Sequence, residues 1–372
     1  MPEVRNSNHE LMRIISMFLI VLGHILLFGG LLDTTNPSVS IIYNFLEFIL
    51  IMHVNSFVLV SGYYQSEKKF KQKKLWKIIN ACWFYRVVIM LIFSLFGIMS
   101  FTKVEVLKDL NPIILDNYWF IRIYLILYCL SPFINKLINS LDKKSYKKLL
   151  LVGFIVFSIL PTITEGRAFE NNGYTLYNFI YLYLVGAYLK LYPLDKSYHF
   201  KRQSTKLFRI TMLTIVFTCA ILNNIIFYFG KSLIGTNSIL EVLSSTIIKS
   251  SLNYSNPIII IQSIAYFSFF TVLNLKSKII NKCSGLMFGV YLIHANPHIH
   301  AKLYSTLNLT AGSENSISFM PYVFLMVILV FTSCTIIEYF RQLLFKFIST
   351  RKVSTKIREK YYNSLSKIFI TD

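Results

Sequence analysis

Ten long apolar runs, separated by loops whose basic content alternates, leave this chain one environment in which it can fold. The runs span 11–32, 39–64, 75–99, 117–139, 149–164, 174–192, 206–229, 256–274, 285–303 and 317–347. A helix that crosses the hydrocarbon of a bilayer needs roughly 17–25 such residues. Only 15% of the chain is charged and 55% is hydrophobic, against about a quarter charged in an ordinary soluble domain. Only lipid can cover that much apolar surface.

The loops set the orientation. Lys68, Lys69, Lys71, Lys73, Lys74 and Lys77 fill the segment after the second run, and Lys143, Lys144, Lys147 and Lys148 the segment after the fourth. Lys196, Lys201, Arg202 and Lys206 follow the sixth, Lys276, Lys278 and Lys282 the eighth, and a basic tail the tenth. Every second loop is therefore basic, as the positive-inside bias requires. The expected fold is an all-α polytopic membrane protein of about ten transmembrane helices with both termini cytoplasmic. The net charge of +21 then reads as topology and as attraction to an anionic inner leaflet, and no nucleic-acid partner is expected.

Residues 1–347 are expected to form a single membrane-embedded domain, with 348–372 as a basic cytoplasmic tail. No stretch outside the runs is long enough to bury a core of its own, so the chemistry has to be done by groups in the helices or at their ends. The five cysteines stand one per segment without a C-x-x-C pair, which fits buried apolar thiols. The first run has basic residues before it but no small-residue cleavage site, and it contains Arg13 and His24. It is expected to stay as the first helix.

Ionisable groups inside a span are costly and mark candidate sites. Arg13 and His24 are eleven residues apart, about 16 Å of rise and roughly 20° short of whole turns, so they share a face. Arg13 is expected at the cytoplasmic edge and His24 near mid-depth, with Glu10 on a neighbouring part of that face. A buried imidazole stays neutral and can serve as a general base, while the cation below it suits an anionic donor. Glu47 and Arg86, in the second and third runs, are expected as an ion pair, and Arg122 as an outward-reaching anchor. His294 and His298 have the i, i+4 spacing of a metal pair, but Pro297 breaks the helix between them and no carboxylate or thiolate follows; no metal is expected.

Phosphate loops, dinucleotide fingerprints, zinc-protease motifs and nucleophile elbows do not occur in the sequence. Four phrases do carry a resemblance. Arg13, ten residues, then His24 opens the chain, preceded by Arg5 and Glu10; VNSFVLVSGYY covers 54–64, NYWFIRIYLILYCLSPFIN covers 117–135, and GVYLIHANP covers 289–297. In this order they resemble the acyltransferase-3 family of bacterial membrane acyltransferases, which modify surface polysaccharides. Where members often carry R-x-x-R at the start of the third helix, this chain has Lys74 and Lys77, which attract phosphate without the guanidinium fork.

The resemblance implies an O-acyltransferase of the bacterial cytoplasmic membrane. It would move an acyl group, most often acetyl, from acetyl-CoA to a hydroxyl of a surface polysaccharide or its lipid-linked precursor. His24, Arg13 and Glu10 would be its catalytic group, and Arg5, Arg13, Lys74 and Lys77 would bind the donor. His24 would either deprotonate the acceptor hydroxyl or carry the acyl group itself. Tyr118 and Trp119 are read as sugar-stacking rings or, more simply, as interface anchors. A transporter or flippase for a glycolipid or small anion is the alternative, distinguished by its indifference to coenzyme A.

Overall fold

The structure, a computed structural model, describes residues 6–33, 36–113, 118–165, 172–197, 199–307 and 319–349. Among these residues the chain is helical, with no strand. Seven helical segments are long and apolar enough to cross a membrane: Ser7–Phe28, Pro37–Gln65, Gln72–Leu95, Trp119–Ser140, Lys143–Ile163, Thr205–Ser232 and Met320–Ile348. The other three expected spans are helical too, but shorter or interrupted. Leu176–Leu191 has 16 residues and Pro257–Thr271 has 15, so each rises roughly 22–24 Å against a hydrocarbon core of ~30 Å. The ninth is two helices, Met287–His294 and Pro297–Leu307.

In chain order the helices are α1 (Ser7–Phe28), α2 (Pro37–Leu50), α3 (Met52–Gln65), α4 (Gln72–Leu95), α5 (Lys103–Leu110) and α6 (Trp119–Ser140). There follow α7 (Lys143–Phe154), α8 (Leu160–Ile163), α9 (Leu176–Leu191), α10 (Thr205–Ser232) and α11 (Ser238–Ser251). The last are α12 (Pro257–Thr271), α13 (Lys278–Ser284), α14 (Met287–His294), α15 (Pro297–Leu307) and α16 (Met320–Ser349). Residues 230–255, between the seventh and eighth runs, hold α11, which starts where the Asn237 side chain accepts from the Leu240 N–H.

Helix α1 lies between two packed clusters. Met17, Val21, Leu22, Ile25 and Leu26 belong to a cluster shared with residues of α4, α14 and α16, while Met12 belongs to one shared with residues of α3, α6, α9, α10 and α12. Its polar first turn is held in place. Asn8 donates to the Leu273 carbonyl and accepts from the Leu275 N–H at 2.9 Å, and Ser7 accepts from the Ser277 N–H at 2.9 Å. Helix α1 is thus the axis on which any site built from Arg13 and His24 is carried.

The run 39–64 is not one regular helix. It changes register at Ile51, with neither Pro nor Gly to announce the change. The Phe48 carbonyl is satisfied from α12, where Gln262 donates to it at 3.0 Å, and the Met52 carbonyl accepts from the Ser56 hydroxyl at 2.9 Å. Such side-chain replacement is what lets a helix break at membrane depth. Near Pro161, which cannot donate to a preceding carbonyl, residues Ile155–Ile159 widen into a π turn between α7 and α8.

Candidate functional site

The site is assembled around the last turn of α1. His24 lies one turn before Phe28, nearer the C-terminal end of α1 than its middle. Its ring is half-buried, with Nδ1 enclosed and without a hydrogen-bond partner. The ring centroid of His294, on α14, is 5.1 Å away. His294 is fully buried and its Nδ1 donates to the Val290 carbonyl at 2.7 Å. That bond fixes the tautomer, so in the neutral ring Nε2 keeps its lone pair; it too is buried without a partner. Two adjacent imidazoles with unsatisfied buried nitrogens are uncommon in a folded interior and suit a ligand hydroxyl. Phe28 packs edge-on against both His24 and His300.

Contacts with the start of α6 and with α16 hold α14 in place. The Tyr118 hydroxyl donates to the Leu292 carbonyl at 2.6 Å, and Tyr118 is 2% exposed. Tyr118 is therefore a buried tie to α14, neither a sugar platform nor an interface anchor. Gly289 lies directly against the Glu338 carboxyl of α16. Glu338 in turn accepts from Tyr85 at 2.5 Å, from Arg341 at 2.6 and 2.7 Å, and from Gln342 at 2.7 Å. At Asn296 the chain breaks before Pro297, as the missing N–H requires. Asn296 then caps α15, accepting from the His298 N–H at 3.0 Å.

The expected Glu47–Arg86 ion pair does not form. Arg86 pairs with Asp109 on α5, and Asp109 also takes Nε2 of His298 at 2.8 Å. All three side chains are buried. His298 is thereby turned away from His294 despite the i, i+4 spacing. Among the described residues, no three His, Cys, Asp or Glu side chains converge as metal ligands. Asp109→Ala is expected to cost about 1.5–3 kcal/mol, the worth of a buried hydrogen bond to charge, read as a lower unfolding midpoint in detergent. A variant as stable as wild type would mean that the cluster contributes nothing net.

Glu47 instead lies against α1 beside Gly23. Its Oε2 is buried and unpartnered, and a side chain at Gly23, next to His24, would meet it at 3.7 Å. Tyr174 and Tyr254 lie within electrostatic reach of the carboxyl. Trp119 lies 4.3 Å from Tyr174 and stacks on Tyr254 at 5.7 Å. Trp119 is thus part of a half-exposed aromatic cluster with Tyr174 and Tyr254.

At the opposite end of α1, Arg13 engages Glu10 at 3.2 Å through Nη1, and Glu10 also accepts from the Ser284 hydroxyl. Arg13 and His24 do share α1, but one helix holds them at its two ends, so they do not touch. Lys74 is exposed at the start of α4, its ammonium 4.5 Å above the Tyr128 ring, and Lys77 is exposed on the same turn. Arg122 is exposed. Arg5 lies outside the described residues, as does nearly all of the 348–372 tail.

The family model described as an acyltransferase domain matches residues 6–339. The chain belongs to the acyltransferase-3 family. It is a multi-pass membrane acyltransferase, and its match runs from the cap of α1 into α16. No curated protein and no solved structure matches the chain. Within this acyltransferase, sequence reasoning overlooked His9, His53 and Glu338. His53 and Glu338 are ionisable residues within apolar runs, and that signal alone would have found them, whereas His9 lies just before the first run. Asp109 offered no such signal, being one acid in the short helix KVEVLKDL.

Proposed function

We propose that this acyltransferase moves an acyl group, acetyl above all, from a coenzyme A thioester to a hydroxyl of a surface polysaccharide or its lipid-linked precursor. The observation that carries the reading is the His24–His294 pair, two imidazoles 5.1 Å apart with buried unpartnered nitrogens. An acceptor hydroxyl between the rings gives its proton to His24 as its oxygen attacks the thioester carbonyl. The tetrahedral intermediate collapses with cleavage of the C–S bond. The imidazolium then returns the proton to the departing thiolate, leaving the ester and free coenzyme A.

Glu47, Trp119, Tyr174 and Tyr254 suit a sugar acceptor. Aromatic faces pack on the apolar faces of pyranose rings, and a buried carboxylate takes their hydroxyls. Arg13 spends one guanidinium nitrogen on Glu10, and the rest of its fork suits a phosphate oxygen of the donor. The basic run 68–77, with Lys74 and Lys77, supplies the field that gathers the anionic donor, and Arg5 would add to it. In this reading the chain makes about ten crossings of the bacterial cytoplasmic membrane as one domain over 1–347. Both ends and the basic 348–372 tail are cytoplasmic, and the acceptor comes from the outer side.

The test is thiol release from acetyl-CoA by the purified protein, with and without extracted surface glycan. Release that rises with added glycan is expected. Glycan-independent hydrolysis, or no release, contradicts the proposal. Acetyl retained on His24 after denaturation without acceptor would replace the direct route by a covalent one.

A further inference from the structure

The break between α14 and α15 sits inside a closed ring of polar contacts. Arg86 on α4 pairs with Asp109 on α5, and the Asp109 carboxylate accepts from Nε2 of His298 at 2.8 Å. The His298 backbone N–H donates to the Asn296 side chain at 3.0 Å. The Asn296 amide in turn donates to the Tyr118 hydroxyl at 3.4 Å, and the Arg86 guanidinium lies 5.9 Å over the Tyr118 ring. The ring of contacts thus returns to the residue where it began. Arg86, Asp109, Tyr118, Asn296 and His298 are all buried. An intact buried ion pair adds little net stability over apolar packing, so stability is a poor reason for its presence.

The ring of contacts grips both sides of the break. On the α14 side, Tyr118 donates to the Leu292 carbonyl, two residues before His294. On the α15 side, the His300 N–H donates to the Asn296 carbonyl at 2.7 Å. The His300 ring packs 4.1 Å from Phe28, one turn after His24. The side-chain bond of His294 runs to Val290 on its own helix. That bond fixes the imidazole within α14 but not against α1. Its distance from His24 therefore follows from where the end of α14 is held. Misplacing a reacting group by about 1 Å can cost roughly 10²-fold in rate.

We propose that Asp109 and His298 are positioning residues of the transfer reaction, setting the His294 imidazole against His24 through Asn296 and Tyr118. The inference rests on the His24–His294 pair being the transfer site. The experiment compares the full chain in detergent, below the unfolding midpoints, as wild type, His298→Leu, His298→Gln, His294→Ala and His298→Leu/His294→Ala. His298→Leu leaves Arg86 and Asp109 paired, and His298→Gln keeps an N–H donor for the carboxylate. In transfer from acetyl-CoA to extracted surface glycan, His298→Leu is expected to lose about 10–100-fold in kcat with KM held. His298→Gln should recover most of that loss. With His294 already gone, His298→Leu should cost little more, because residues acting through one another are not additive. The full loss in that background overturns the proposal, since it would reflect a general loosening. A His298→Leu variant as fast as wild type, or a His298→Gln variant as slow as His298→Leu, overturns it too. Nitrogen NMR of histidine-labelled protein reads the same claim without turnover. The His294 signals, identified by their absence from His294→Ala, are expected to shift in His298→Leu and to stay in place in His298→Gln. Signals unmoved in His298→Leu contradict the positioning role. No glycan-dependent transfer by wild type removes the transfer reading instead, and the His294 signals then decide whether His298 sets that imidazole.

Discussion

Gly62→Val or Gly186→Val is expected to leave little folded protein. Helices α3 and α9 cross where these two glycines meet. A Cβ on Gly62 would run into the Tyr183 carbonyl, and one on Gly186 into the Leu59 carbonyl. Both obstacles are backbone, so no rotamer change relieves them. Small residues at such crossings let membrane helices approach closely. Overpacking usually costs about 1–3 kcal/mol, and more where the surroundings cannot yield; we expect the upper end or beyond. Replacing a mid-helix glycine gains only about 0.5–1 kcal/mol of backbone entropy, so the clash wins. Helix α9 is buried over most of its length, and its loss would open the cluster that α1 packs against. Unfolding midpoints and the monodisperse fraction in detergent read the effect. Variants as stable as wild type would mean the crossing is looser than described.

His24→Ala is expected to lower kcat for acyl transfer by roughly 10²–10⁴, the usual worth of a general base. The affinity for coenzyme A should hold, because Arg13 and its Glu10 partner sit at the other end of α1. Stability should hold as well, since no hydrogen bond of His24 Nδ1 is lost. A fall in affinity with kcat intact would make His24 a binding residue instead. His294→Ala should fall between His24→Ala and wild type, since His294 is held in one tautomer by Val290 and assists through the lone pair it presents.

The Arg13–His24 face and the break at Pro297 could be read from the sequence because helical spacing and proline chemistry are local properties. The partner of Arg86 could not. Glu47 looked suitable because its helix adjoins the third in sequence, yet Arg86 reaches Asp109 on a short helix between spans. Which carboxylate reaches a buried cation depends on how a loop folds back, and no periodicity records that. The change of register at Ile51 was hidden for a related reason. The Phe48 carbonyl is taken up by Gln262, 214 residues away in the chain, and nothing local marks that. Nor could the pairing of His24 with His294 be read, since α14 is docked through Tyr118 and Glu338 by contacts between distant spans.

His24 is proposed to drive transfer of an acyl group from coenzyme A to a glycan. That role is tested most directly by following label from radiolabelled acetyl-CoA into extracted surface glycan, with wild type and His24→Ala purified side by side. Label in the glycan with wild type, and a hundredfold or greater loss of initial rate with the variant, is expected. Equal labelling by both proteins, or none by wild type while coenzyme A is bound, would contradict it.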